Sequence, residues 1–446
     1  MNVIICGAGE VGSHAAEVLA AAGHSITVID QQPDRLNAID ESMDVRTMLG
    51  NCANADVLRE VGADHERAAV VAATNSDEIN LLTAAVAKGI GCGKTIARVH
   101  HSAYFDNRGL HYRKHLNIDQ MICPEYSTAQ SVSTALRNPS ALMVENFASG
   151  HIEMQQFPVS ADAPAVGKTL IELDLPKGMR LAAIRRGDRA FLPVATSEIQ
   201  AEDMIILVGN RNVFHTGRKL FVKAEARRQH LVIMGGSSMG VWLCRALRDR
   251  AFSIRLFVPD RERAEELAEK LDWVTVMNTD PTDETTFEEE KIAEADGFIG
   301  LSDDDEHNIL GCALAKSVGV KQVISVVQRP RYVHLMKRVG IDNAYSPRIV
   351  AVRHIERSLD NSPLLSMASL AKGVIEAYRV IVSPTAEAVG KPLKSLPLSP
   401  DWMIVARQHE EDIHVPTADD LIHVGDLLLA VGKHGTESKL KQVFGK

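Results

Sequence analysis

The sequence lacks any apolar run long enough to cross a bilayer, although it has 446 residues. A membrane-spanning helix needs roughly 18–20 consecutive apolar residues, whereas the longest apolar runs, such as Met204–Val208 and Leu427–Val431, have the length of a strand. A strand-like pattern begins at the first residues, without the basic segment and cleavage site of a signal peptide. These absences predict a cytoplasmic globular protein of about three or four domains.

Basic charge and paired cysteines are also missing. The formal net charge is −9, which disfavours a nucleic-acid surface and unaided binding to an anionic membrane. The six cysteines form no CxxC pair and no zinc-ligand spacing. We therefore interpret them as buried, reduced thiols.

A glycine-rich turn stands at the start of the chain. Val3–Cys6 has the pattern of a buried strand, and Gly7-Ala8-Gly9-Glu10-Val11-Gly12 follows it before a helical pattern. This is the GxGxxG dinucleotide fingerprint in its required context. The free N–H groups at the start of such a helix bind phosphate. The candidate contacts in this turn are Gly7, Ala8, Gly9, Glu10, Val11 and Gly12.

An internal repeat organises the rest of the chain. Gly235 lies 228 positions after Gly7, and the same ungapped offset relates Asn80 to Asn308. After a deletion of five residues, an offset of 223 relates Pro124 to Pro347. The sequence therefore contains one composite unit twice.

Each repeat begins with apolar strands that alternate with helical patterns, which is typical of a parallel sheet of Rossmann type. In the first repeat the predicted strands are Asn2–Cys6, Ser25–Ile29, Val45–Leu49, Ala69–Ala72, Thr95–Val99 and Gln120–Cys123. Predicted helices include Gly12–Ala22, Glu78–Lys88 and a linking helix over Ser127–Arg137.

A small unit of about 70 residues follows each of these Rossmann-like segments. In the first repeat it has strand patterns near His151–Pro158, Arg180–Arg185 and Asp203–Val208, and a short helix predicted over Thr169–Leu173. A basic, polar linker is expected over 215–229. The predicted fold class is α/β, with two tandem Rossmann-like domains, each followed by a small α+β domain. The predicted boundaries are 1–125, 126–215, 230–348 and 349–446.

Polar residues at the carboxyl ends of the predicted strands are further candidates for nucleotide contact. Asp30 ends the second strand, where a carboxylate accepts both ribose hydroxyls and repels a 2′-phosphate, so NAD or an adenine nucleotide is favoured over NADP. Asn51 stands where an adenine edge can be read. Arg98 either pairs with a phosphate or forms a surface ion pair. The candidates are Asp30, Asn51, Ala73, Thr74, Asn75 and Arg98.

The second glycine-rich turn differs from the first at the positions that carry the chemistry. Ser237 replaces the middle glycine, Val258 stands at the position of Asp30, and Val326 stands at that of Arg98. We expect this second pocket to be weaker, differently selective or vestigial. Its candidate residues are Gly235, Gly236, Ser237, Ser238, Met239 and Gly240.

Two acidic segments are interpreted as helix starts. Asp77 and Glu78 follow the fourth strand and complement the dipole of the next helix. Asp303–Glu306 lies at the equivalent place in the second repeat and has no surrounding EF-hand pattern. The helix role is therefore favoured over nucleotide contact for Asp77 and Glu78, and over a cation site for Asp303–Glu306.

The order of Rossmann-like unit, linking helix and small Gly-Lys-turn unit, all repeated, resembles the RCK (KTN/TrkA) family, whose domains regulate the conductance of potassium. The tandem duplication resembles the regulatory NAD-binding subunits of bacterial Trk potassium-uptake systems. The resemblance covers essentially the whole chain. It rests on Gly7–Gly12, Asp30, Gly50–Ala53, Val57–Leu58, Thr74–Glu78, Asn80, Arg98, Ile122–Glu125, Val166–Leu170 and Val389–Leu393.

The resemblance implies a non-enzymatic, cytoplasmic subunit that binds NAD(H) or ATP/ADP as regulatory ligands. It also implies a dimer or tetrameric ring on the inner face of a membrane potassium channel or transporter of TrkH type, with peripheral membrane association through that partner. Bound nucleotides would shift the ring between open and closed arrangements, with hinging at about Tyr126–Leu142 and Ile349–Ser366. Asn51 departs from the aspartate that is commoner at its position in the family.

Three other functions explain part of the sequence. An NAD-dependent oxidoreductase would explain the fingerprint, but no substrate domain of usual size follows either Rossmann unit, and hydride transfer needs a second substrate. No HExxH or GxSxG motif is present, and His100-His101 follows a strand end without a recognisable partner. A redox-sensing transcription regulator would need a basic recognition helix. The third function is an RCK-type regulator of a different cation transporter, and the sequence distinguishes it poorly from a Trk-type regulator.

Overall fold

The computed structural model describes residues 1–105, 110–137, 143–147, 151–222, 228–341, 343–360, 362–398 and 400–445. Contacts between residues divide the chain into two compact units. The first comprises Met1–Arg137 and Arg227–Asp360, and the second comprises Asn138–Ala226 and Asn361–Lys446. Each unit therefore takes one segment from each repeat. Within the described residues, no helix combines the length and apolarity that crossing a membrane requires.

The elements of the first repeat follow the predicted alternation. They are β1 (Asn2–Cys6), α1 (Glu10–Ala21), β2 (Ser25–Asp30), α2 (Pro33–Ser42), β3 (Arg46–Leu49), α3 (Ala55–Glu60), β4 (Ala68–Ala72), α4 (Asp77–Gly89), β5 (Lys94–Arg98), α5 (Ser102–Phe105), α6 (Tyr112–His115), β6 (Gln120–Ile122), α7 (Pro124–Arg137), β7 (Met143–Phe147), β8 (Ile152–Pro158), β9 (Met179–Arg186), β10 (Arg189–Phe191), β11 (Met204–Asn210) and α8 (Arg211–Arg218).

The second repeat has the corresponding elements. They are β12 (Gln229–Met234), α9 (Ser238–Ala246), β13 (Phe252–Phe257), α10 (Arg261–Lys270), β14 (Thr275–Met277), α11 (Glu284–Glu289), β15 (Gly297–Gly300), α12 (Asp305–Ser317), β16 (Gln322–Val326), α13 (Pro330–Met336), β17 (Asn343–Tyr345), α14 (Pro347–Leu359), β18 (Leu364–Leu370), β19 (Ile375–Ile381), β20 (Trp402–His409), β21 (Asp412–His414), β22 (Leu427–Lys433) and α15 (Ser438–Phe444).

The first unit contains two parallel six-stranded sheets. Their orders, β3-β2-β1-β4-β5-β6 and β14-β13-β12-β15-β16-β17, are the same arrangement applied to each repeat, and every neighbouring pair is parallel. This is the strand order of dinucleotide-binding folds, in which the order reverses between the first and fourth strands. The predicted Rossmann-like fold of both repeats is confirmed.

The linking helices exchange partners inside this unit. Helix α7 follows the first sheet, but its Val132 and Leu136 are buried in the core of the second sheet. Helix α14 follows the second sheet, and its Val352 and Ile355 are buried in the core of the first. Full burial of an aliphatic side chain contributes roughly 1.5–3 kcal/mol, so this exchange holds the two Rossmann-like domains together.

Polar contacts fix the end of α7 against the second repeat. Arg137 Nη1 lies 2.5 Å from Asp249 Oδ2, and Gln322 Nε2 donates to Ala135 O at 3.0 Å. Tyr126, near the start of the helix, packs edge-on against Trp242 with ring centroids 4.8 Å apart.

The second unit contains two antiparallel five-stranded sheets of matching order, β10-β9-β11-β8-β7 and β18-β19-β22-β20-β21. Ile206 and Val208 of the first sheet share one buried cluster with Val405 and Val431 of the second. The predicted small α+β domain after each Rossmann-like domain is confirmed, and the two small domains have a common core.

Two details of the predicted small domain are wrong. Thr169–Leu173 is not a helix but a single turn, which the Glu172 carboxylate closes by accepting from the Thr169 N–H and hydroxyl at 2.8 Å. The expected linker over 215–229 is wrong for its first part, because α8 extends to Arg218 and Phe221 is fully buried. Residues 223–227 lie outside the described residues. The four domain boundaries stay predictions.

Candidate functional site

The glycine-rich turn joins β1 to α1 as the sequence predicts, and two of its glycines have specific steric reasons. Gly7 has φ +109°, and a Cβ there would lie 2.9 Å from Ala73 O and from Thr74 N. A Cβ on Gly12 would lie 1.9 Å from Gly7 O. Gly9 is open by comparison, since the nearest atom to its Cβ position is Arg35 Nη1 at 3.9 Å. The turn therefore packs tightly against the loop after β4 at Gly7 and against its own backbone at Gly12, and it has space beside Gly9.

The Asp30 carboxylate lies beside this turn. Its Oδ2 accepts a hydrogen bond from Ala8 N at 2.6 Å, and its Oδ1 accepts from Gln32 N at 2.9 Å. These bonds fix the carboxylate at the end of β2. Because each carboxylate oxygen has two lone pairs, Asp30 can still accept hydrogen bonds from a ligand.

Asn80 holds the loop that follows β4. Its Oδ1 accepts from Thr74 N at 2.8 Å and from Thr74 Oγ1 at 2.7 Å, and its Nδ2 donates to Thr74 O and Arg98 O at 3.1 and 3.0 Å. The side chain is fully buried. One amide thus positions both Thr74 and the end of β5. This role of Asn80 was not predicted, although the recurrence of the residue as Asn308 was a signal.

Arg98 is a mostly buried cation at the same sheet edge. Its Nη2 lies 3.5 Å from Glu125 Oε1, and both side chains are less than one-fifth exposed. Its Nε is buried and has no hydrogen-bond partner among the described residues. The ion-pair alternative for Arg98 is therefore observed, although the pair is mostly buried, and contact with a phosphate stays a prediction.

A cleft of about 450 Å³ opens at this edge of the first sheet. Nine predicted residues line it: Gly7, Gly9, Glu10, Val11, Asp30, Ala73, Thr74, Asn75 and Arg98. Ala8, Gly12 and Asn51 are not in the lining. Ala8 binds Asp30 through its N–H, Gly12 packs behind the turn, and exposed Asn51 accepts a hydrogen bond from Ala53 N at 3.0 Å.

The second repeat completes the cleft wall. Gln328, Pro347 and Arg348 are among the lining residues. The Arg348 side chain is 15% exposed and forms an ion pair with Glu10, which is 70% exposed. These contributions were missed in the sequence because they depend on the position of α14 against the first repeat.

Asp77 connects α4 to the loop after β5. Its carboxylate accepts from the N–H groups of His100 and His101 and lies 3.0 Å from His100 Nδ1. Although burial acts to raise it, these hydrogen bonds leave the pKa of Asp77 below its usual value. Asp77 and Glu78 do lie in the first turn of α4, and Asp77 also orders the neighbouring loop.

One cysteine, Cys52, lines the cleft. All six cysteines are free and buried, as predicted. A hydrogen bond with Cys6 lowers the pKa of the Cys52 thiol to about 7. Burial and this same bond raise the pKa of Cys6, with the bond the larger cause.

The corresponding edge of the second sheet has different side chains. Val258, at the position of Asp30, is buried, and a Cβ on Gly236 would lie 2.9 Å from it. Arg263 donates to Gly236 O at 2.8 Å. Ser237 Oγ is buried and has no hydrogen-bond partner within the part of the chain that the structure describes. Apolar packing of Val258 therefore replaces the carboxylate that Asp30 provides in the first repeat.

The polar residues of the second edge also pair with one another. Asp280 and His307, at the positions of Cys52 and Ile79, form an ion pair of 3.1 Å between Oδ1 and Nε2. Asn308 repeats the role of Asn80, with Ser302 as its partner. The scaffold of the site is thus retained in the second repeat, while the ligand-facing groups differ.

Comparison with family models gives four matches along the chain. The TrkA-N domain matches residues 3–124 and 231–347, and the TrkA-C domain matches residues 154–222 and 377–445. The chain belongs to the TrkA family. Both domains of this family are present twice, as the repeat predicted.

Full-length relatives agree with this membership. The Trk system potassium uptake protein TrkA homolog 2 of Methanosarcina mazei is 31% identical, with 100% of both chains covered. The TrkA protein of Halomonas elongata is 29% identical, over 96% of this chain and 94% of its own. This TrkA-family chain thus resembles its relatives over their whole length.

Solved structures show the same fold. The RCK domain of GsuK superposes with a TM-score of 0.62 at 16% identity, covering 99% of this chain and 94% of that chain. The GsuK channel bound to NAD superposes with a TM-score of 0.61 at 17% identity, covering 99% and 78%. The tandem RCK fold expected from the sequence is therefore confirmed.

Proposed function

We propose that this chain is a nucleotide-sensing regulatory subunit of a potassium-uptake system, and that its first cleft binds NAD(H), ATP or ADP. The observation that carries the proposal is the cleft itself. It combines the glycine-rich turn, Asp30 and Arg98 at the edge of the first sheet where the strand order reverses. Membership of the TrkA family supports potassium uptake as the process.

The residues present fit an adenine nucleotide. The open Cβ direction of Gly9 leaves room for a pyrophosphate at the backbone, and the N-terminus of α1 favours negative charge. Asp30 would hold the ribose hydroxyls. Arg98 lines the cleft, and because its guanidinium has five N–H donors beside the single carboxylate of Glu125, it would hold a phosphate.

A bound nucleotide would supply charge and hydrogen-bonding groups, and it would not react. No substrate domain follows either Rossmann sheet, since the matched TrkA-C domains begin shortly after α7 and α14. The chain is therefore proposed to be non-enzymatic. Its ligand would act by binding one arrangement of the subunit more tightly than another.

A nucleotide in the cleft would contact both repeats, because Arg348 and Gln328 belong to the second. Glu10 belongs to the glycine-rich turn and forms an ion pair with Arg348. A ligand phosphate would compete with Glu10 for the guanidinium, so ligands that differ in phosphate number would differ in how they hold α14. This gives a physical route from the ligand to the arrangement of the unit, which a partner can sense.

Arg348→Ala is expected to weaken ATP binding about tenfold, since one charge-assisted hydrogen bond contributes roughly 1.5 kcal/mol. Calorimetric titration of the full chain measures the affinity. Arg353→Ala is the matched control, because Arg353 lies on the same helix and is exposed. Equal affinities of both variants and the native chain would show that α14 does not contact the ligand.

The proposed partner is a membrane potassium channel or transporter subunit of TrkH type. The chain would assemble on it as a dimer or tetrameric ring at the cytoplasmic face of the inner membrane. The test is potassium flux in proteoliposomes that contain the pore subunit of the same organism and the full chain. Flux is expected to differ several-fold between NADH, NAD, ATP and ADP, and Asp30→Ala is expected to remove the difference.

The control for the flux experiment is Asp34→Ala, which alters an exposed carboxylate on α2 and should behave as the native chain. Equal flux with every nucleotide, and without any, would contradict regulation by nucleotide. An NAD-dependent oxidoreductase would instead consume NADH steadily in the presence of a substrate.

A further inference from the structure

Two imidazoles and a buried carboxylate converge in the second small domain. His409 ends β20, His423 precedes β22, and Asp426 lies just before that strand. One ligand atom from each residue lies within 4.8 Å of the others. The Asp426 side chain is fully buried, whereas His409 and His423 are 37% and 48% exposed. The two imidazoles are therefore partly exposed to solvent and lie beside a carboxylate that is buried.

The first repeat shows what the same place looks like without histidine. Its buried Asp203 is paired with Arg186 at 2.7 and 2.8 Å, and Gln200 N donates to Asp203 at 2.9 Å. Arg186 and Gln200 stand at the positions of His409 and His423. Both neighbours of the aspartate are thus imidazoles in the second repeat only.

Charge balance does not require these imidazoles. Arg407 Nε donates to Asp426 Oδ2 at 2.8 Å, and this buried pair is already neutral. The histidines are additional to that pair. His409 Nδ1 lies 2.6 Å from Asp426 Oδ1, and the two imidazole rings are 4.5 Å apart.

The protonation of His423 follows from its neighbour. Arg407 Nη2 lies 2.9 Å from His423 Nδ1. Because a guanidinium can only donate, His423 Nδ1 must carry a lone pair that faces into the cluster. An imidazole nitrogen in that state can ligate a metal ion once the guanidinium N–H moves away. His409 Nδ1, by contrast, donates to the Asp426 carboxylate, which only accepts.

We propose that His409, His423 and Asp426 form a binding site for one divalent transition-metal ion of the Zn²⁺ class. Two imidazoles with one carboxylate are a ligand set that Zn²⁺ accepts, with a fourth position left for water. Bonds of about 2.0–2.1 Å in a tetrahedral site place ligand atoms roughly 3.3 Å apart, within the 4.8 Å that separates the ligand atoms of this cluster. Binding would release the Nδ1 proton that His409 donates to Asp426. The metal would take the place of the Arg407 Nη2 contact, while Arg407 Nε keeps its bond to Asp426.

Hard cations such as Mg²⁺ do not suit this ligand set, because they prefer oxygen ligands. Metal affinity should also fall as the pH is lowered, since protons compete for the imidazole lone pairs. The first small domain, with Arg186 and Gln200 at the equivalent positions, should bind no ion there.

The test is titration of the full-length chain with Co²⁺, followed by its visible absorption and by competition with Zn²⁺ and Mg²⁺. We expect saturable binding that Zn²⁺ displaces and Mg²⁺ does not. His423→Gln introduces the residue found in the first repeat, so the turn should keep its fold. This variant and His409→Gln should each lower the affinity at least tenfold, or reduce the number of bound ions by one per chain.

His434→Gln is the matched control, because His434 is 65% exposed and contacts Glu376 and Glu437 outside the cluster. It should leave the cluster's binding unchanged. Absence of saturable Co²⁺ binding to the native chain would overturn the proposal. Binding of the same number of ions with the same affinity in His423→Gln and His409→Gln would overturn it as well.

Discussion

Asp30→Ala is expected to weaken the binding of NADH and of adenine nucleotides about 100-fold. The change removes the proposed acceptor of the ribose hydroxyls, and hydrogen bonds to a charged group contribute roughly 1.5–3 kcal/mol each. It also leaves Ala8 N, which donates to Asp30 at 2.6 Å, without its acceptor. A total loss of about 3 kcal/mol corresponds to two decades in the dissociation constant. Calorimetric titration of the native and variant chains measures it.

Two further variants separate the causes. Asp30→Asn keeps the size of the side chain and removes its charge, so it should lose most of the affinity as well. Asp34→Ala, on the exposed side of α2, should bind as the native chain does. Native-like affinity in Asp30→Ala would mean that the carboxylate serves only to close the turn.

Gly12→Ala is expected to destabilise the first Rossmann-like domain by about 3 kcal/mol. The added methyl group would lie 1.9 Å from Gly7 O, and neither α1 nor the turn can move away without losing its packing on β1. Overpacking of this kind typically costs 1–3 kcal/mol. Hydrogen exchange of peptides from β1 and α1 in the full chain reports the local free energy of opening.

Gly89→Ala is the matched control for this experiment. Gly89 ends α4, and among the described residues no atom outside its own helical turn and chain neighbours lies within 4 Å of its Cβ position. Alanine there should leave stability unchanged or raise it by about 0.4–1 kcal/mol through the unfolded chain. Equal exchange rates in Gly12→Ala and Gly89→Ala would show that the turn is looser than its geometry indicates.

The Rossmann-like domains and most of the cleft could be predicted from the sequence, because their signals are local. The turn at Gly7–Gly12 and the acid at Asp30 each lie next to a strand end, and the strand order brings both to one sheet edge. The internal repeat predicts the same fold for the second Rossmann-like domain. Asn51 did not follow this logic, since its side chain closes its own turn with Ala53.

Contributions from distant parts of the chain could not be predicted in this way. Arg348 enters the wall of the first cleft because α14 packs across the first repeat, and no pattern around residue 348 encodes that placement. The single turn at Thr169–Leu173 fails as a helix for a similar reason. The backbone N–H groups of Leu170 and Ile171 donate to Ser197 O and Ala195 O, so these residues bond to a distant segment instead of continuing a helix.

The difference between the two repeats follows from few substitutions. Asn80 and Asn308 preserve the backbone of the edge, whereas Val258 replaces the acid and packs against Gly236. Asp280 and His307 pair with each other at the positions of two residues that line the first cleft. The two repeats therefore share the backbone scaffold and differ in the side chains at the sheet edge, and one nucleotide-binding cleft per chain is the expected result.

The stoichiometry of nucleotide binding to the native full-length chain tests this account most directly. Calorimetric titration with NADH, NAD, ATP and ADP is expected to give one bound nucleotide per chain, with no second site at ligand concentrations that saturate the first. Two equivalent sites per chain would contradict the role assigned to Val258 and Ser237. Absence of binding by all four nucleotides would contradict regulation by nucleotide and leave only an assembly role.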